Sequence, residues 1–247
     1  MRVRVVFQGE EPVVLPWNYP HLLHGYLYGA IARANPEFGS FLHEQGFVEG
    51  NHRYKMLVFS KIFSRESRAL PQGLKVMPPL EWWFSSPLDA PIEALVKTML
   101  LEGEVRLGNI SLYVEKVEIE GIPDISGKML CETISPVVAS TGAKKEGKLV
   151  KRFLSPDDED FRRVIEVNLL RKAKALGITF NHTININIEP VGKWRSRLFT
   201  VQGTNVKGYE GRCVIEGDKN LIQLAYEAGI GERNSQGFGM FRFVKSA

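Results

Sequence analysis

The chain has only two cysteines, Cys131 and Cys213. They lie far apart, with no further Cys or His at metal-ligand spacing, which excludes a disulfide framework and a zinc site of ordinary pattern. Both are expected as reduced core thiols of a cytoplasmic protein. No apolar run approaches the ~20 residues needed to cross a bilayer, so no membrane partner is expected. The N-terminal MRVRVVFQGE turns polar too early for a signal peptide. Low-complexity segments are lacking, which excludes a disordered chain. A Gly-Lys-Ser/Thr is absent, and with it the phosphate loop of nucleotide hydrolases. The acidic run Asp157–Asp160 follows Ser155 and Pro156. It is expected to start a helix, with Ser155 as cap and the acids complementing the helix dipole. No metal and no other cofactor is expected.

With 247 residues and 44% apolar content, the chain is long enough for one large domain or two small ones. The net charge of +4 is unevenly placed. Residues 1–120 carry 12 Lys and Arg against 14 Asp and Glu; residues 121–247 carry 20 against 14. A basic second half suits a polyanionic partner.

The order of elements repeats. In the first half VRVVF (3–7) reads as a strand, and His21–Arg33 has a helical apolar repeat stopped at Asn35-Pro36. A short second helix ends near Gly46. MLVFSKIF (56–63) and LEWWFSS (80–86) read as strands, Asp89 to about Leu101 as a helix, and Ser111–Glu120 as a strand. In the second half KMLCETISPVV (128–138) reads as a strand, 144–152 as a loop, and Ser155 to about Leu176 as a helix. ITFNHTININIE (178–189) and the runs within 195–216 form a hairpin, Asp218–Ala228 a helix, and FGMFRFV the final strand. Two tandem β-α-β-β-α-β units follow: an α+β protein with ferredoxin-like domains at 1–122 and 128–247.

Between the last helix and the last strand lies GIGERNSQGFGMFRF (229–243). Helix, loop, strand is the wrong order for a nucleotide-phosphate loop, and a dinucleotide fingerprint would need glycine at Asn234. GFGMFRF partly matches the aromatic strand of RNA-recognition motifs, but Gln236 replaces its leading basic residue and Met240 an aromatic one. Gly229 and Gly231, paired with Gly237 and Gly239, would leave backbone N–H groups free for a phosphate chain, with Arg233 and Asn234 as side-chain donors.

The Gly-x-Gly, five residues, Gly-x-Gly spacing near the C-terminus resembles the signature of CRISPR repeat-RNA-processing endoribonucleases. These belong to a wider superfamily of repeat-associated RNA-binding proteins built on ferredoxin-like folds. NYPHLLHGYLYGAIARANPEFGSFLHE (18–44) resembles the first helical region of that family, and SPVV (135–138) the element opening its second domain. The resemblance implies metal-independent cleavage, in which the ribose 2′-hydroxyl attacks the adjacent phosphate. The products carry a 2′,3′-cyclic (or 3′) phosphate and a 5′-hydroxyl. By motif it implies that Tyr28, His43 and Lys55 are the catalytic tyrosine, histidine and lysine, with His52 and Arg53 close competitors to Lys55.

These residue types suit the reaction. Histidine transfers protons near neutrality, and a lysine beside the phosphoryl oxygens stabilises growing negative charge. On the first helix His21, His24 and Tyr28 share one face, and His24 is a reserve for proton transfer. KKEGKLVKR (144–152), with Lys144 and Lys145, and KWRSR (193–197), with Lys193, Arg195 and Arg197, are candidate tracks for an RNA backbone. Trp194 offers a stacking surface there. The expected partner is CRISPR repeat RNA. The alternatives are a non-catalytic subunit of a CRISPR interference complex and a general RNA-recognition protein using GFGMFRF as its platform. Monomer and homodimer are equally compatible with the sequence.

Overall fold

A computed structural model describes residues 1–145, 148–179, 185–201 and 203–244. The first half runs β1 (Arg2–Gln8), β2 (Val13–Pro16), α1 (Tyr19–Ala34) and α2 (Pro36–Glu44). A hairpin of β3 (Phe47–Glu49) and β4 (His52–Tyr54) follows, then β5 (Val58–Phe59) and β6 (Phe63–Ser64). After β7 (Ser67–Leu70), β8 (Gly73–Val76) and β9 (Leu80–Ser85) come α3 (Asp89–Glu102), β10 (Glu104–Leu107) and β11 (Ile110–Glu120). The second half runs β12 (Lys128–Thr133), β13 (Ser140–Lys145), β14 (Lys148–Phe153), α4 (Glu159–Ala175), β15 (Ile186–Val201) and β16 (Thr204–Gly217). It ends with α5 (Lys219–Ala228), the 3-10 turn Asn234–Gln236 and β17 (Phe241–Phe243).

The first main sheet has the order β10-β11-β1-β9-β5, with β6 also on β9; the second has β15-β16-β12-β17. In each, the first strand lies between the third and the fourth strand of a β-α-β-β-α-β unit, which is the ferredoxin-like arrangement. Among the described residues no helix is long and apolar enough to cross a membrane.

Local sequence explains the elements that carry the site. In α1, Leu23, Leu27, Ala30 and Ile31 are fully buried at helical spacing. The helix ends where Asn35 precedes a proline and takes an extended φ of −146°. The Asn35 side chain then caps α2 by accepting from the Phe38 N–H at 3.0 Å. Gly39 lets the two helices cross closely, since a Cβ there would lie 2.7 Å from the Ala32 Cα. In α5, Asp218 caps by accepting from the N–H groups of Asn220 and Leu221.

Three expectations need correction, and a fourth lies partly outside the described residues. The long helix begins at Glu159 with Asp158 as its cap residue, not at Ser155. The Asp158 carboxylate instead accepts from the Ser155 N–H at 2.6 Å and pairs with Arg152. KKEGKLVKR is not a loop: its residues belong to the hairpin β13–β14, with 146 and 147 outside the described residues. MLVFSKIF forms only the short pairings β5 and β6 on β9, because between them the Ser60 Oγ takes the Trp83 N–H and the Lys61 N–H donates to Ile134 instead. The strand expected from Ile178 is described only from Ile186, since 180–184 lie outside the described residues. The small sheet β2-β8-β7 and the hairpins β3–β4 and β10–β11 were not expected.

The two sheets are joined through β1. Arg2 is 3% exposed. Its guanidinium donates to the carbonyls of Phe241 (2.8 Å) and Tyr226 and stacks 3.4 Å over the Tyr226 ring. Burial lowers its pKa to about 10, so it stays charged at neutral pH. Nearby, the backbones of Lys61, Ile134 and Met240 are linked by hydrogen bonds, and Val58, Ile134 and Met240 form a small shared core. Arg2→Met is expected to destabilise the protein by about 2–4 kcal/mol, because two buried carbonyls lose their donor along with the stacking contact. Urea unfolding at neutral pH measures it, and a change below about 0.5 kcal/mol would contradict the role given to Arg2.

Candidate active site

All four loop glycines have positive φ, from +69° at Gly231 to +87° at Gly237. Space is as restrictive as conformation. A Cβ on Gly237 would meet the Phe59 ring at 2.7 Å, and one on Gly239 would overlap the Ile230 carbonyl. Gly229 faces Val58 in the same way. The loop is thus wedged against β5 of the other sheet. Its N–H groups are used within the protein: Gly229 donates to Ala225, Gly237 to Asn234 and Gly239 to Pro136, at 2.8–3.0 Å. The expectation that Gly229, Gly237 and Gly239 present free N–H groups to a phosphate chain is therefore corrected. Gly231 is buried with them against the Val138 carbonyl.

Asn234 departs from expectation for the same reason. It is 9% exposed, and its Nδ2 donates to the carbonyls of Ile230 and Phe238, both at 3.0 Å. Its Oδ1 accepts from Lys172 Nζ at 2.6 Å. Lys172, 2% exposed, also donates to the carbonyls of Gly229 (2.8 Å) and Gly231 (3.3 Å). Sequence reading missed Lys172. The available signal was a lysine on the apolar face of α4, in register with Phe161, Ile165 and Leu169. Phe238 is 2% exposed and packs edge-on against Phe199, so it offers no platform to a base.

The half-buried tip of the loop faces the first sheet's helix. The Ser235 carbonyl lies 2.6 Å from His24 Nδ1. A carbonyl only accepts, so Nδ1 carries the proton and Nε2 keeps its lone pair. Burial lowers the His24 pKa below its ordinary value, outweighing the Ser235 hydrogen bond that raises it. Tyr28 packs against His24 with ring centres 4.6 Å apart and the planes tilted by 53°, and its hydroxyl lies against the Ser235 side chain. Burial raises the Tyr28 pKa, keeping the hydroxyl protonated as a donor. The histidine-tyrosine face expected on α1 is thus brought onto the glycine loop.

His43 is exposed in the last turn of α2. Lys55 Nζ donates to the carbonyls of Leu42 and His43, the latter at 3.1 Å, closing the end of that helix. Burial, with Arg53 second, lowers the Lys55 pKa. Lys55, His52 and Arg53 line one wall of a cleft of about 570 Å³ between the two sheets. Arg233, Ser235 and Gln236 of the glycine loop line another, and Arg163 and Arg171 of α4 a third. The Tyr54 hydroxyl and Asn168 Oδ1 are buried beside this cleft without hydrogen-bond partners among the described residues. Arg163 and Arg171 were not singled out, although their i, i+8 spacing places both on one helix face.

The two basic stretches separate. Lys151 reaches the cleft and pairs with Glu232 at 3.0 Å, while Lys144 is exposed on β13 and the Lys145 side chain lies outside the described residues. Lys193 lines a second cleft, of about 370 Å³, beside Arg162 and Tyr209. Arg195 is exposed, and Arg197 pairs with Glu210. Trp194 does not offer a stacking surface: it packs edge-on against Phe161 and lies over Gly211, where a Cβ would meet its ring at 2.5 Å.

Gly239→Ala is expected to lower stability by at least about 3 kcal/mol, since backbone strain and overlap with Ile230 add. Thermal unfolding of the variant measures this, and a melting temperature equal to that of the parent would contradict the packing described.

Residues 14–118 match the family described as CRISPR-associated protein Cas6, N-terminal, and residues 118–243 match its C-terminal counterpart. The chain is 29% identical over 243 residues to CRISPR-associated endoribonuclease Cas6 1 of Methanocaldococcus jannaschii, covering 97% of this chain and 91% of that one. A solved structure titled CRISPR associated protein Cas6 superposes with a TM-score of 0.82 at 28% identity, covering 99% of each chain. Another, of a Cas6-related gene from Pyrococcus furiosus, has a TM-score of 0.85 at 23% identity, covering 100% of this chain and 99% of that one. With family matches covering both halves of the sequence, the chain belongs to the CRISPR-associated Cas6 family.

Proposed function

We propose that this protein is an endoribonuclease that cuts CRISPR repeat RNA in the cytoplasm, at the mouth of the cleft between its two ferredoxin-like domains. The observation that carries the reading is the meeting at Ser235. There the second domain's loop, which lines a cleft together with Arg53, Lys55, Arg163 and Arg171, also holds His24 and Tyr28 of the first domain. A cationic cleft suits a phosphate chain. A fixed imidazole lone pair and a protonated phenol suit proton transfer at one phosphodiester. The unbonded thiols Cys131 and Cys213, paired across β12 and β16, accord with a reducing compartment.

In the reaction, a base takes the proton of the ribose 2′-hydroxyl and its oxygen attacks the adjacent phosphorus. The bond to the 5′-oxygen breaks, and that oxygen leaves with a proton. His24 Nε2 is set up as a base, because its partner at Nδ1 fixes the tautomer. Tyr28 donates to a phosphoryl oxygen. His43 stands on the α2 end of the site and supplies the second proton transfer. Lys55 commits two of its three N–H groups to α2 carbonyls. The third faces the developing phosphorane charge. His52, further along the same wall, is the alternative proton carrier. Arg53, Lys151, Arg163 and Arg171 track the RNA backbone.

Repeat RNA incubated with the protein in EDTA is expected to be cut, leaving a 2′,3′-cyclic phosphate and a 5′-hydroxyl. Binding without product would identify a non-catalytic subunit, and a 5′-phosphate product would exclude 2′-hydroxyl attack. His24→Ala and His43→Ala are each expected to slow single-turnover cleavage by about 100-fold or more while leaving RNA binding nearly unchanged. Full activity in either variant removes that histidine from the mechanism.

A further inference from the structure

Lys172 is a buried ammonium with no carboxylate partner among the described residues. It projects from the apolar face of α4, beside Leu169 and Ala173, where a methionine or leucine would pack without desolvating a charge. Desolvation lowers its pKa to about 7. A group placed at such a cost does something that packing alone does not require.

Its contacts show what that is. The three N–H groups of the ammonium meet three acceptors: the carbonyls of Gly229 and Gly231 and Asn234 Oδ1. The two N–H groups of Asn234 Nδ2 then meet the carbonyls of Ile230 and Phe238, the central residue of each Gly-x-Gly pair. Every donor of this two-residue network is used, and its acceptors lie on both arms of the loop. The next residue is Ser235, whose carbonyl accepts from His24 and whose side chain meets the Tyr28 hydroxyl.

We infer that Lys172 is a positioning residue for RNA cleavage: by holding the glycine loop it fixes Ser235, and through Ser235 the tautomer of His24 and the place of Tyr28. Lys172 lines the floor of the cleft, but all three of its N–H groups are spent on the loop and none on α1, so its effect on His24 is transmitted through Asn234 and the loop backbone. Without the ammonium, two loop carbonyls and Asn234 Oδ1 are buried without a donor. The loop relaxes to hydrate them, and Ser235 moves off His24. The rate consequence rests on the endoribonuclease reading; the consequence for His24 does not.

The test uses Lys172→Met and, as a second variant removing the other half of the network, Asn234→Ala. Ring-¹⁵N histidine spectra of the RNA-free protein are expected to show His24 as the Nδ1–H tautomer in the parent. In both variants the signal is expected to shift towards the Nε2–H form that a free imidazole prefers. Single-turnover cleavage of repeat RNA is expected to fall by about 100-fold, as misplacement remote from the reacting atoms can produce. RNA affinity should change by less than a factor of about ten. An unchanged His24 tautomer in folded variants, or cleavage within about twofold of the parent, overturns the assignment. Should the parent itself fail to cut repeat RNA, the functional reading falls, and the His24 spectra alone decide the role of Lys172.

Discussion

Absence of side chains at Gly229, Gly237 and Gly239 is the constraint on which this structure turns. Val58 and Phe59 from the first sheet and the carbonyls of the loop itself occupy the space that Cβ atoms would need. The C-terminal loop can therefore lie directly on β5, and its next turn can reach α1. Backbone this deeply buried has to satisfy its own polar groups. It does so within the protein, through Ala225, Pro136, Asn234 and Lys172. The glycine signature is thus a joint between two domains, and its chemical role is to present Ser235 rather than to cradle phosphate.

Two buried cations hold this joint from different sides. Arg2 threads from the first strand into the second sheet, where Tyr226 and Phe241 supply acceptors and an aromatic face. Lys172 comes from α4 and gathers both arms of the loop. Each pairs with backbone or amide oxygens, and each has its pKa lowered by burial. Removing a partner from such a network leaves unpaired groups in a dry interior, which costs more than the hydrogen bonds contribute net. The interface is accordingly specific in geometry, and that specificity sets the position of the histidine-tyrosine pair on α1.

Much of this was readable from the chain. The repeat β-α-β-β-α-β follows from apolar periodicity and from stops at Asn35-Pro36 and Gly177, because local sterics and burial patterns act within a few residues. The polar-aromatic face of α1 was readable for the same reason: His24 and Tyr28 share it by helical spacing alone. Features that depend on a distant partner were misread. Trp194 looks exposed between charges until Phe161 covers it. Asn234 looks like a free donor until Lys172 and the loop carbonyls claim it. The KKEGKLVKR run looks like a loop because charges on a hairpin and on a loop are alike in composition, and only the pairing of β13 with β14 separates them.

The sequence by itself determined the fold class, the order of elements and the family signature, because periodicity, capping and glycine spacing are local properties of the chain. Tertiary structure alone decided which residues meet. Residues 24 and 235 become neighbours only when two domains close on the glycine joint, and Lys172 acquires its partners only through that closure. The hydrogen-bond partner that fixes the His24 tautomer, and the desolvation that lowers its pKa, arise from packing between domains. No spacing along the chain encodes them.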